Sequence, residues 1–167
     1  SLPEKYVVVA NVPYYITSKI VKLLTTAANK PRTIVLLIQK EVAVRMAAEP
    51  GNMSILAVSS QVYSDVRLGA IVPAELFTPP PKVDSQVVIL DMLSEPRISP
   101  DEEKAFFRVV KAGFVAKRKK LRSSIASGLH LSKPEAEELL VKASISPEGR
   151  AQDLSIEDWI RLTKIVG

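Results

Sequence analysis

Tyr6-Val7-Val8-Val9-Ala10, followed at once by Asn11-Val12-Pro13-Tyr14-Tyr15, is a short apolar run rich in β-branched residues that breaks into a turn. Such a run reads as a strand buried on both faces, the kind that parallel sheets contain. Pro13 has no N–H and a fixed φ, so Asn11 to Tyr15 reads as a loop. Thr17 or Ser18 can cap the next helix, whose apolar stripe is Ile20, Val21, Leu23 and Leu24. Asn29-Lys30-Pro31 ends that helix. Residues 33–38 repeat the buried-strand pattern, and residues 40–48 read as a helix stopped by Pro50-Gly51. Strand, loop, helix, strand, helix is the rhythm of an α/β doubly wound sheet.

Working outward, residues 53–60 read as helix and residues 61–72 as strand. Residues 73–82 form a loop, because Pro79-Pro80-Pro81 cannot donate ladder hydrogen bonds. Residues 85–90 read as a final strand. Two prolines and a polar bias across 94–100 mark a boundary, giving domains at 1–93 and 94–167. Beyond it the pattern is helical. Pro100-Asp101-Glu102-Glu103 looks like a helix start, with acids at the positive helix end. Phe106, Val109, Val110, Gly113 and Phe114 follow at helical spacing. Shorter helices are expected at 121–127, 134–143 and 155–165, the last with Trp159 in its core.

The 167 residues are 47% hydrophobic and 25% charged, a globular balance. Cysteine is absent, which excludes disulfides, thiolate metal sites and a cysteine nucleophile. The single histidine, His130, leaves no basis for a histidine-built metal site or a Ser-His-Asp triad, and reads as a loop or helix-end residue. No metal is expected. No apolar run approaches the roughly 20 residues of a membrane span, and the first residues lack a signal-peptide pattern. The expected location is the cytoplasm.

The formal net charge is +5. Eight of the 23 basic residues fall between Lys104 and Arg122, and none of the 18 acids does. Such a run suits a polyanion; it is also what a solvated helix face looks like.

The loop after the first strand carries the strongest chemical pattern. Ligands of open α/β sheets bind at the carboxyl ends of strands. The exocyclic amine of a base is a poor nucleophile, because its lone pair is delocalised into the ring. A site that methylates it needs two oxygen acceptors for its two N–H bonds. The Asn11 side chain and the Val12 carbonyl can supply them, Pro13 stiffens the turn, and Tyr14 can stack on a base. The bland alternative is an ordinary strand-to-helix turn. Phe77, ahead of the proline run, suits the other side of an aromatic sandwich, or simply anchors the loop. Lys82 suits a phosphate contact, or is solvated.

Four stretches occur in order: Asn11-Val12-Pro13-Tyr14-Tyr15-Ile16, Gln39-Lys40-Glu41-Val42-Ala43-x-Arg45-Met46, Phe77-x-Pro79-x-Pro81-Lys82-Val83-Asp84-Ser85 and Phe114-x-x-Lys117-Arg118-Lys119-x-Leu121-Arg122. Together they resemble the ribosomal RNA adenine N6-dimethyltransferases over nearly the whole chain. Asp84 points to the small-subunit members rather than the large-subunit resistance methylases, which share Asn-x-Pro-Tyr. The resemblance implies the later half of a Rossmann-like methyltransferase sheet followed by a small all-α domain. It implies S-adenosylmethionine as methyl donor and N6 of two adjacent adenines near the 3′ end of small-subunit rRNA as acceptor.

On that resemblance Asn11 and the Val12 carbonyl hold the amine, with Asn11 also near the cofactor, while Tyr14 and Phe77 stack on the flipped adenine. Lys82, Lys111, Lys117, Arg118, Lys119, Lys120 and Arg122 contact RNA, in a 30S-type ribosomal particle. A non-catalytic RNA-binding module and a DNA amino-methyltransferase are the competing readings. The family pattern begins upstream of Ser1, and no G-x-G occurs. The expectation is therefore a fragment with an incomplete cofactor pocket, inactive by itself. Its first strand would be an apolar edge prone to self-association.

Overall fold

In the computed structural model, residues 2–167 are described, apart from the side chain of Tyr14. The chain divides into two compact units, Ser1–Ala47 with Leu56–Arg97, and Ala48–Ile55 with Ile98–Gly167. The first contains β1 (Val7–Asn11), α1 (Thr17–Thr25), β2 (Thr33–Gln39), α2 (Lys40–Met46), most of α3 (Ile55–Gln61), β3 (Ser64–Val72) and β4 (Ser85–Met92). The strand order is β1-β2-β4-β3. β1 and β2 are parallel, as the intervening α1 allows, with Val9 opposite Val35. β4 runs antiparallel to both β2 and β3. A loop without an α-helix suffices to join β3 to β4, because antiparallel neighbours need no crossover.

The side-chain alternation of the strands assigns the two faces. Ile34, Leu36 and Ile38 of β2 and Val88 and Leu90 of β4 are buried with Val12, with Val21 of α1, and with Ala43 and Met46 of α2. Val8, Ala10, Ile20 and Leu56 pack against this cluster. The helices of this unit thus gather their apolar residues on one face of the sheet. On the opposite face Val35, Leu37, Val87 and Ile89 are half-buried. Val7 is 44% exposed and Val9 76%. The expectation that residues 6–10 are buried on both faces is therefore corrected, since one face of β1 is open; its place at the edge of the sheet is the expected one.

Three local readings also shift. The N-cap of α1 is Ile16, with no side-chain cap. The Thr17 hydroxyl instead donates back to the Pro13 carbonyl at 3.5 Å. β3 begins at Ser64 rather than residue 61, because α3 runs to Gln61. Residues 48–55 join the helical unit, where the Gly51 and Met53 amides donate to the Gln152 carbonyl at 2.9 and 3.1 Å.

The second unit is built from α4 (Glu103–Phe114), α5 (Leu121–Leu129), α6 (Lys133–Lys142) and α7 (Ile156–Val166). Phe106, Val109, Leu121, Ile125, Leu140, Trp159 and Leu162 are its buried core. α4 packs against α5 and α7. Gly128 and Gly113 permit these close approaches: a Cβ at Gly128 would lie 2.4 Å from the Ala112 Cα, and one at Gly113 would lie 2.3 Å from the Trp159 ring. His130 ends α5 in the left-handed conformation, φ 57°.

Candidate active site and nucleic-acid interface

Register brings the loops named above to one edge of the sheet. β1 and β2 both end there, at Asn11 and Gln39. Because β4 is antiparallel to β2, its first residue, Ser85, pairs with Gln39. Val72, the last residue of β3, pairs with Ser85. The loop after Asn11, the start of α2 and the loop 73–84 therefore all leave the sheet at the carboxyl edge of the parallel strands. That is the ligand-binding edge of open α/β sheets.

At this edge Val12 has two roles. Its side chain is 5% exposed and lies in the core cluster. Its amide donates to the Leu37 carbonyl at 3.1 Å. The residue is thus pinned from two sides. The Pro13 carbonyl accepts from the Ile16 amide at 3.2 Å, closing a 3-10 turn over Tyr14–Ile16. Asn11 is exposed at the strand end. Among the described residues no hydrogen bond ends on the Asn11 side chain or the Val12 carbonyl. Two oxygens on consecutive residues, the Asn11 side-chain carbonyl and the Val12 backbone carbonyl, thus stand at the carboxyl end of β1. The Tyr14 side chain lies outside the described residues.

Phe77 is half-buried at the end of a second 3-10 turn, Ala74–Leu76, and its amide donates to the Ala74 carbonyl at 3.1 Å. The Thr78-Pro79 peptide is cis. Phe77 shares the sheet edge with Asn11 but belongs to the far strand. Three strand spacings, roughly 14 Å, separate β1 from β3, so loop 73–84 must fold back to bring Phe77 to the Asn11 turn. Lys82 is exposed.

Asp84 anchors that loop. Its Oδ1 accepts from the Ala74 amide at 2.9 Å, and its carbonyl accepts from the Lys40 amide at 3.0 Å. Asp84→Ala is expected to loosen the loop by about 1 kcal/mol. Faster amide exchange at Ala74 and faster proteolysis between residues 77 and 83 would report it. Asp84→Asn keeps an oxygen acceptor and should change little.

The basic segment lies in the helical unit. Lys111 is exposed on α4. Lys117, Arg118 and Lys119 are exposed on the connection from α4 to α5. With Ala116 and Arg150 they line an open depression of about 680 Å³. The connection is held by the Ser124 hydroxyl on the Ala116 carbonyl at 3.0 Å and by the Lys119 amide on the same carbonyl at 2.8 Å.

Lys120 and Arg122 are placed differently. Lys120 Nζ donates to Glu148 Oε2, and Arg122 Nη1 lies 2.6 Å from Glu148 Oε1. The Lys120 hydrogen bond holds the Glu148 carboxyl below the usual carboxylate range; slight desolvation opposes it and the Arg122 charge assists. The acid-free run of the sequence thus acquires an acid by folding. Neither Arg150 nor Glu148 is visible in a reading of residues 104–122, because both arrive from a loop 28 or more residues downstream of Lys120.

Comparisons with known proteins bear on these sites. The profile of the family described as ribosomal RNA adenine dimethylase matches residues 1–167. A ribosomal RNA small subunit methyltransferase A of Dehalococcoides mccartyi is 40% identical over 157 residues, which are 94% of this chain and 54% of the relative. The protein of that name from Clostridium botulinum is 39% identical over 168 residues, 98% of this chain and 60% of the relative. This chain therefore spans between half and two thirds of the length of these relatives. Among solved structures, a dimethyladenosine transferase from Plasmodium falciparum superposes with a TM-score of 0.80 at 25% identity, covering 97% of this chain and 66% of that one. The 23S rRNA methyltransferase ErmE superposes at 0.75 and 25% identity, covering 99% of this chain and 66% of that one.

Proposed function

We propose, for a chain that belongs to the ribosomal RNA adenine dimethylase family, that it carries the methyl-acceptor loop and the RNA-binding helices of an enzyme that dimethylates N6 of adenines. The substrate is small-subunit rRNA, at two adjacent adenines near the 3′ end, within a cytoplasmic 30S-type particle. The observation that carries the reading is the placement of Asn11, exposed, and of Val12, whose amide is tied to Leu37, on consecutive residues at the carboxyl edge of the sheet. That the relatives at 39–40% identity carry the name ribosomal RNA small subunit methyltransferase A favours the small subunit.

The chain's own part in the chemistry is to hold and orient. Asn11 and Val12 accept the two amine hydrogens, which draws the nitrogen lone pair out of conjugation with the ring. Tyr14 and Phe77 stack on the flipped base and exclude water. S-adenosylmethionine supplies an electrophilic methyl group when bound, so positioning is the main requirement on the protein. Of the residues present, Asn11 would stand at the reacting end of that cofactor. The residues present offer no glycine-rich turn after a strand for its nucleotide end: among the described residues the positive-φ glycines are Gly51 and Gly167, and neither follows a strand. Calorimetric titration of the chain with S-adenosylmethionine is therefore expected to show no saturable binding at millimolar ligand. One-to-one binding would overturn this part of the reading.

The decisive experiment replaces the matched segment of the Dehalococcoides mccartyi relative with this chain. The chimera, given small-subunit particles and labelled S-adenosylmethionine, should yield N6,N6-dimethyladenosine on digestion. A folded, cofactor-binding chimera that modifies no adenine would defeat the proposal. Competition by RNA over duplex DNA of equal length separates it from a DNA amino-methyltransferase.

The open edge of β1 supports self-association of the chain. Val7 and Val9 are exposed beside an unpaired ladder edge, a template for another strand. Light scattering should show a mass that rises with concentration, and Val9→Lys should suppress the rise. A constant monomer mass would refute it.

A further inference from the structure

The basic segment and the loop 146–149 meet in a way that divides the cations into two groups. The Glu148 carboxylate takes Lys120 and Arg122 together. Lys117, Arg118 and Lys119 have no ion-pair partner among the described residues and face the open depression with Arg150. The side chains of Lys120, Arg122 and Glu148 are 50%, 35% and 52% exposed. Ion pairs this wet are weak, so a phosphate can compete with the carboxylate for either cation.

Nor does the loop depend on that carboxylate to stay in place. The Leu121 amide donates to the Gly149 carbonyl at 2.8 Å, and the Arg122 amide donates to the Pro147 carbonyl at 3.2 Å. The Gly149 amide closes the turn on the Ser146 carbonyl at 3.2 Å. The backbone seats the loop, and the carboxylate adds charge at the mouth of the basic segment.

We propose that Glu148 is a built-in competitor for phosphate: it occupies Lys120 and Arg122, leaves RNA binding to Lys117, Arg118, Lys119 and Arg150, and so restrains non-specific attraction to any polyanion. This rests on the reading that the basic segment binds RNA. A surface carrying every cation of the segment unopposed would hold all RNA tightly and at high salt. Masking two of them shifts discrimination to contacts that need the correct substrate.

The test is titration of a fluorescein-labelled single-stranded RNA oligonucleotide of arbitrary sequence into the 167-residue chain, between about 50 and 200 mM salt. Glu148→Gln removes the charge and keeps the side-chain size. It should raise affinity roughly three- to tenfold and steepen the slope of log K against log salt by about 0.7 for each cation released. In a Lys120→Gln/Arg122→Gln background the same change should have a smaller effect on affinity and should no longer steepen the slope, since no cation is left to release. An unchanged affinity and slope for Glu148→Gln overturns the proposal. So does weaker binding, which would make Glu148 a positioning residue for the loop. Far-UV circular dichroism confirms that each variant is folded. If Lys117→Gln/Arg118→Gln/Lys119→Gln binds RNA as tightly as the parent, the underlying RNA reading fails, whatever Glu148 does.

Discussion

Asn11→Ala is expected to lower adenine methylation by the chimera about 100- to 1000-fold, the size of loss seen when one preorganised group is removed from a site that stabilises developing charge. The amine nitrogen must give up conjugation with the ring as it attacks, and its hydrogens gain positive character. An acceptor oriented before the reaction stabilises that change; a mobile water does so less well. Asn11 is exposed at the end of β1 and contributes nothing to the core cluster, so the substitution should leave stability intact. RNA affinity should also be nearly unchanged, because the basic cluster belongs to the other unit. The measurement is kcat and KM for the particle, with a separate binding titration. Methylation that survives near the parent rate would remove Asn11 from the site.

Gly128→Ala is expected to destabilise the helical unit by about 3 kcal/mol. The added Cβ would lie 2.4 Å from the Ala112 Cα, 2.5 Å from its Cβ and 2.8 Å from its carbonyl oxygen. Two of those atoms are backbone of α4, which no rotamer change can move. α5 must therefore back away from α4 and open the packing around Ile125 and Phe106. The gain in helix propensity from Gly to Ala, about 1 kcal/mol, opposes this but is smaller. Gly149→Ala is the control, since its nearest contact would be an ordinary 3.4 Å to the Ser146 carbonyl; it should change stability by less than about 0.5 kcal/mol. Denaturant midpoints from circular dichroism compare the two. Equal midpoints would mean that α4 and α5 are not in the close contact described.

Much of this architecture is legible from short stretches. The β-branched runs before Asn11 and through residues 33–38 announce β1 and β2, because strand formation there depends on shape and burial of adjacent residues. Helix starts at Ser132 and Ser155 carry their own instructions: each accepts a hydrogen bond from the amide three residues on, Glu135 and Asp158, whose carboxylates return to the serine amide. Phe106, Val109 and Val110 mark the inner face of α4 by spacing alone. Val62 and Tyr63 misled the reading of 61–72 as one strand, since two buried apolar residues between a helix and a strand fit either element.

The candidate site divides the same way. Asn11 and Val12 stand out as candidates because they share one short loop motif, and Phe77 because it opens a second one, the proline run. That Val12 is pinned by Leu37, and that Asp84 ties loop 73–84 to Ala74 and Lys40, depends on strand pairing that no local pattern specifies.

What the residues determine by themselves is the series of elements, the turn chemistry after β1 and the concentration of positive charge in 104–122. These are properties of neighbours along the chain, governed by propensity, periodicity and capping over a few residues. What the tertiary structure alone decided is which face of the sheet is covered, which glycines admit a neighbouring helix, and which cations stay unopposed. Those outcomes depend on pairs far apart in sequence, such as Lys120 with Glu148 at a separation of 28 residues, and a charge acquires its partner only when packing brings the two together.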